Sequence, residues 1–225
     1  MSEVSDIEWA SCGLADAPYA GVVNIATWCG SLGPGSANAS AIDVAAEHLR
    51  LGVGVVVEAI VGLESIPAWA FRADHVDDAA ASVVELRSVI QRVDGVMLAA
   101  PEYAGGVAGV VKNALDWLVG SASLHHKPIV VISAGTTGGE FAIDQLVRTL
   151  SWQGALTVAT LGITSPRTKV DESGAFTDPP TILAIRQCAD VLVAAVTGTP
   201  ADRRAMVTAV VTRHGIDPAR FGDLP

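Results

Sequence analysis

The residues best suited to chemistry lie in three short stretches rich in glycine and small polar side chains. The first is GSLGPGSANAS, residues 30–40. Small residues let a backbone wrap closely around a ligand, and free N–H groups at a helix start favour an anion. Ser31, Ser36, Asn38 and Ser40 add neutral hydrogen-bonding groups. That chemistry suits a phosphate monoester; an ordinary strand-to-helix connection is the alternative. No GK[ST] follows, which excludes the P-loop NTPase pattern. Gly30, Gly33 and Gly35 do not make GxGxxG, and Gly52 and Gly54 precede their strand instead of following it.

The second stretch is AAPEYAGGVAGVVKNALDW, residues 99–117. Pro101 ends a strand, Glu102 and Tyr103 sit at the mouth, and Gly105 and Gly106 let the backbone turn. A planar ligand needs such a site: close backbone donors and a ring to cover one face. The third stretch is SAGTTGG, residues 133–139. All three follow apolar runs and precede helical patterns, so they meet at one edge of a sheet.

Other reactive residues carry less. Cys12, Cys29 and Cys188 are odd in number, far apart and without a CxxC, so neither a disulfide framework nor a zinc ribbon is indicated. Cys29, beside the first loop, reads as a small buried thiol more readily than as a redox group, having no resolving cysteine nearby. His125 and His126 are adjacent, so they seldom face one metal, and they read as a solvated loop. No metal site is expected. Lys112 and Asp116 stand four apart on one helix, as an exposed pair or an interface element. Trp117 and Trp152 read as core or interface packing. A serine hydrolase would need a GxSxG elbow and a placed histidine, and neither is present.

Alternating elements position these loops. Residues 22–27 form a short apolar run, hence a buried strand. Residues 29–40 read as a loop, and Ile42, Ala45, Ala46 and Leu49 have helical spacing up to about Leu51. Further strands are expected at 53–60, 95–100, 128–133 and 155–161, and helices at 81–93, 107–119, 141–152 and 179–196. The fold class is therefore α/β: a five-stranded parallel sheet with helices on both faces and right-handed crossovers. A ligand then lies beyond the C-terminal strand ends, at the switch in strand order. Residues 1–18 read as an N-terminal extension, 19–197 as one ligand-binding domain, and 198–225 as a helical tail. In that tail Thr199 is an N-cap, Pro200 takes the first helical position and Gly215 ends the run.

Composition narrows the classes. The chain has 225 residues, half of them hydrophobic, with a mean hydropathy of +0.43, which excludes a disordered chain. Only 5% are aromatic, so the core is built from Ala, Val, Leu and Ile. A net charge of −10 repels polyphosphate, so no nucleic-acid partner is expected. The longest charge-free stretch, residues 17–42, is broken by Gly, Pro, Asn and Ser and makes a poor membrane span. The acidic start MSEVSDIEWA lacks the basic region of a signal peptide, so a cytoplasmic, membrane-free protein is expected.

The run PEYAGGVAGVVKNALDWL closely resembles the signature of the NADPH-dependent FMN reductase family, flavodoxin-like enzymes that include quinone, chromate and azo-dye reductases. The first and third loops have matching order and spacing, and GITSPRTKVDESGAFTDP is similar to the family's final-strand segment. The resemblance covers residues 20–197. It implies a three-layer α/β/α sandwich with strand order 2-1-3-4-5, non-covalent FMN, and NADPH or NADH as co-substrate. It implies that Gly30, Ser31, Ser36, Ala37 and Asn38 surround the FMN phosphate. Pro101, Glu102, Tyr103, Ala104, Gly105 and Gly106 would border one edge of the isoalloxazine, and Ser133, Ala134, Gly135, Thr136 and Gly138 the other.

The implied reaction is hydride transfer from NAD(P)H to flavin N5, then reduction of a small-molecule acceptor: a quinone, azo compound, metal oxyanion, free flavin or dioxygen. No side-chain acid or base is required. A homodimer or homotetramer is implied, since relatives dimerise through the helix after PEY. Gly33 stands where the family usually has Arg, and Ala104 where it usually has Asn. A helix start with neutral hydroxyls can still carry a dianion. A non-enzymatic FMN-binding electron-transfer or regulatory module is the alternative reading.

Overall fold

The structure is a computed structural model that describes residues 21–33, 35–67 and 80–222. The expected extension at 1–18 and most of the 61–80 connection lie outside the described residues.

Five strands form one parallel sheet in the order β2-β1-β3-β6-β7. They are β1 (Val23–Cys29), β2 (Val55–Ile60), β3 (Gly95–Ala99), β6 (Pro128–Gly135) and β7 (Leu156–Thr164). This is the expected flavodoxin-like order 2-1-3-4-5, because β4 (Glu102–Tyr103) and β5 (Gly106–Val107) make a separate small hairpin. The order reverses between β1 and β3. The central strands read as unbroken apolar runs because helices cover both faces: every residue of β3 is buried, as are Ile129–Ile132 of β6.

The helices are α1 (Ala37–Arg50), α2 (Ala81–Arg92), α3 (Gly109–Leu118), α4 (Glu140–Trp152), α5 (Pro179–Thr197) and α6 (Pro200–Arg213). Helix α1 buries Ala41, Ile42, Ala45 and Leu49, the i, i+3/i+4 stripe that its sequence shows. It starts at Ala37, earlier than the expected loop allowed, because Ser36 caps it by accepting the Asn38 N–H at 3.2 Å. Helix α3 starts at Gly109, two residues later than its apolar pattern suggests, since Gly106–Val107 is taken up by the hairpin. Strand β7 runs on to Thr164 through Gly162, where a Cβ would stand 2.7 Å from the Gly138 carbonyl oxygen.

Helix α5 is long and apolar enough, by length and composition, to cross a membrane. Here it is a core helix, burying Ala184, Ile185, Cys188, Leu192 and Ala195. The tail helix α6 packs on β7 and buries Val207 and Val211. Its start is the expected one: Thr199 and Asp202 form a reciprocal capping box around Pro200.

Candidate functional site

Three connections leave the C-terminal ends of β1, β3 and β6, on either side of the β1/β3 switch. In a doubly wound sheet such an edge opens a crevice for ligands. The connections are tied to one another by specific hydrogen bonds, so the rim is one braced unit.

The β1–α1 loop leaves the sheet at Gly30, whose N–H donates to Ala99 O at 2.7 Å. A Cβ there would lie 2.2 Å from Val111 Cγ2, so only glycine lets α3 pack this close. Ser31 is partly exposed and Ser36 caps α1. Ala37 opens the helix, and its first turn holds no acidic residue, leaving the positive end of the dipole uncompensated. Gly33 and Gly35 face open space, with nothing within 4 Å of an added Cβ. Asn38, expected at the phosphate, has its side-chain amide engaged by the main chain of β6. It is 3% exposed, its Nδ2 donates to Ala134 O at 3.1 Å, and its Oδ1 accepts the Ala134 N–H at 2.9 Å. Ser40 Oγ donates to Gly174 O at 2.5 Å, joining α1 to the loop after β7.

The β3–α3 connection turns at Pro101, which lacks an N–H and ends the strand. Glu102 and Tyr103 pair antiparallel with Val107 and Gly106. The turn residues are Ala104 (φ 53°) and Gly105 (φ 73°), not the two glycines. Two successive positive φ values are the mark of the tight hairpin turn that matches strand twist. Tyr103 stands 62% exposed on this hairpin. Gln145 of α4, which has no local sequence signal, accepts the Val107 N–H at 2.8 Å. Glu102 Oε2 accepts the N–H groups of Phe141 and Ala142 at 3.0 and 3.2 Å.

In the β6–α4 loop, Gly135 is half-buried, Thr136 exposed and Gly138 buried. Ser133 is fully buried and its Oγ donates to Ala100 O at 2.7 Å, which braces the second loop. Gly139 sits over it, where a Cβ would fall 1.9 Å from that hydroxyl.

The other singled-out residues lie elsewhere. Cys29 is half-buried, its Sγ donating to Ser31 O at 3.5 Å, and burial pushes its thiol pKa up. Lys112 Nζ meets Asp116 at 2.7 Å on half-exposed side chains. Trp117 is buried, whereas Trp152 is 60% exposed with the Arg220 guanidinium stacked 3.9 Å from its ring. His125 and His126 stack at 3.9 Å. His125 is exposed and His126 half-buried, and both line an open cavity of about 530 Å³ with Trp152, Gln153 and Arg220. That cavity lies at the N-terminal end of β6 and β7, opposite the braced rim. Burial, and then the neighbouring His125, holds the His126 pKa down. Among the described residues no cluster of three or more metal-ligating side chains occurs.

The family model described as NADPH-dependent FMN reductase matches residues 23–167. The chain belongs to the NADPH-dependent FMN reductase family. Among its relatives in this family is an NADPH azoreductase from Bacillus sp. (strain OY1-2), 33% identical over 31% of this chain and 40% of that protein. A quinone reductase from Escherichia coli (strain K12) is 31% identical over 52% of this chain and 63% of that one. The chain thus spans less than two thirds of these curated relatives. A solved structure of FerB, a flavoenzyme NAD(P)H:(acceptor) oxidoreductase from Paracoccus denitrificans, superposes with a TM-score of 0.65 at 25% identity, covering 78% of this chain and 97% of that one. The matched region of the reductase family holds all three rim loops and every residue of the hairpin.

Proposed function

We propose that the chain is an FMN-dependent NAD(P)H oxidoreductase that passes electrons to a small-molecule acceptor such as a quinone, an azo compound, a metal oxyanion, free flavin or dioxygen. The observation that carries this reading is the braced rim: three small-residue loops beside a helix start without acids, in a chain of this family. Bound FMN would supply the redox chemistry, taking hydride at its N5 and giving it up to the acceptor.

The donor set fits that cofactor. Ser31, Ser36 and the N–H groups around Ala37 offer a phosphate dianion hydrogen bonds and the positive end of α1. The absent cation at Gly33 leaves open space that this helix start faces without a competing carboxylate. Pro101, Tyr103, Ala104, Gly105 and Gly106 would border one edge of the ring system, and Ala134, Gly135, Thr136 and Gly138 the other. Glu102 would act from behind: its carboxylate is engaged by α4, so it orients the hairpin and does not move protons.

The working assembly is a cytoplasmic homodimer or homotetramer. Phe141 and Trp152 support it, for they lie 59% and 60% exposed on one face of α4, eleven residues apart. Residues 19–197 form the flavin-binding domain, and 198–225 a tail whose helix α6 adds to the sheet edge.

Rapid anaerobic mixing of the FMN-loaded protein with NADPH, and separately with NADH, tests the activity. Fast bleaching of the visible flavin band by either donor is expected. Reduction only by a protein redox partner would overturn the enzyme reading in favour of an electron carrier.

A further inference from the structure

We infer that Asn38 is a positioning residue and not a phosphate ligand: its side-chain amide supplies the rung of the β-ladder that β3 cannot, and so locks the start of α1 to the end of β6. The inference rests on the FMN reading above and assigns this residue a different part in it.

Strand β3 pairs with β6 only as far as Ala99↔Ile132. One step further, the Ala100 N–H donates to Ile132 O at 2.9 Å. The chain then meets Pro101, which has no N–H and turns into the hairpin. Along a strand, alternate residues point their N–H and C=O to the same side. Ala134 therefore presents both groups on the side of Ile132, just past the end of β3, where no strand remains. These groups are buried with a residue that is 7% exposed, and a buried main-chain pair requires partners.

An asparagine amide carries one donor nitrogen and one acceptor oxygen in a plane, which copies a peptide group. Asn38 places them at 3.1 and 2.9 Å from Ala134 O and N, 96 residues along the chain. Its own main-chain N–H is directed to Ser36 Oγ at 3.2 Å. The residue thus faces inward with all but one of its donor hydrogens engaged. The helix start that would receive the phosphate and the strand end that would border the ring are fixed through this one contact.

FMN and riboflavin share the ring and ribityl chain and differ by the phosphate, so their affinities separate the two roles. Binding is read by quenching of flavin fluorescence on the apoprotein. Asn38→Ala is expected to weaken FMN and riboflavin by the same factor, about tenfold. Ser31→Ala, the control, weakens FMN alone. The visible circular dichroism of bound FMN at saturation should also change in Asn38→Ala, a signature that general loss of stability leaves unmoved.

A loss confined to FMN would make Asn38 a phosphate ligand and overturn the inference. Unchanged affinities, or an unchanged ring spectrum, would overturn it equally. Where Asn38→Ala does not fold, hydrogen exchange on the unaltered apoprotein decides: the Ala134 amide is expected to be protected like that of Ile132, and exchange at the rate of a free amide contradicts the clamp. Should the unaltered protein bind neither flavin, the cofactor reading fails, while the exchange result still reports on the clamp by itself.

Discussion

Glu102 caps α4 from outside the helix: its Oε2 accepts the Phe141 N–H at 3.0 Å, across 39 residues of sequence. The helix needs this help, because its own N-cap is Gly139, in a left-handed conformation and without a side-chain cap bond. A carboxylate also suits the positive end of the helix. Glu102→Ala should lower unfolding free energy by about 1 kcal/mol, and Glu102→Gln, which keeps an acceptor oxygen, should recover part of that loss. Urea unfolding checks this. Equal stability of the native protein and Glu102→Ala would show that the cap contributes nothing.

The hairpin stores strain at Ala104, a residue with a side chain held at φ 53°. Left-handed backbone is unfavourable for L-residues other than glycine, by roughly 1–2 kcal/mol, and asparagine tolerates it best. Ala104→Asn is expected to raise the thermal midpoint by a few degrees, as about 1 kcal/mol does in a chain of this size. A lowered midpoint would mean that another contact, and not the backbone, holds this turn.

Gly30 and Val111 set the distance between the first loop and α3. A Cβ on residue 30 would stand 2.2 Å from Val111 Cγ2 and 3.3 Å from Ala100 Cα. Gly30→Ala should therefore destabilise by about 1–3 kcal/mol through overpacking. Adding Val111→Ala should restore part of the loss, giving a double-mutant cycle with a clearly favourable coupling. Additive losses would contradict the steric account.

The layered architecture was legible because its signals are local. The apolar run of β3 and the stripe Ile42, Ala45, Leu49 each announce one element. Thr199 and Pro200 likewise announce the start of α6, to which the structure adds the reciprocal bond with Asp202. What escaped reading depends on groups distant in sequence. Nothing near Asn38 indicates Ala134, and nothing near Gln145 indicates the Val107 amide. Ser133 is placed at the ring edge by the family resemblance alone, and nothing near it in sequence indicates that its hydroxyl donates to the carbonyl of Ala100. Ser36 did carry a capping signal, but the small polar residues after it masked the helix that Ala37 begins.

Cys188 lies on the buried face of α5, and desolvation pushes its pKa up to about 12. In the unfolded chain the thiol ionises near its ordinary value of 9.0, so between that pH and about 12 the unfolded state binds fewer protons. Stability from this residue is complete below the lower value and falls as pH rises through the window. The urea midpoint of the native protein should decline more steeply with pH above 9.0 than that of Cys188→Ala. Parallel declines would place the thiol in contact with water.

The central claim is that the loops after β1, β3 and β6 close around one FMN. Spectrophotometric titration of the apoprotein with FMN tests it most directly. The account predicts saturation at one FMN per chain, with perturbed visible bands and quenched flavin fluorescence. A preparation that takes up no FMN, with its spectrum identical to that of free cofactor throughout the titration, would contradict it.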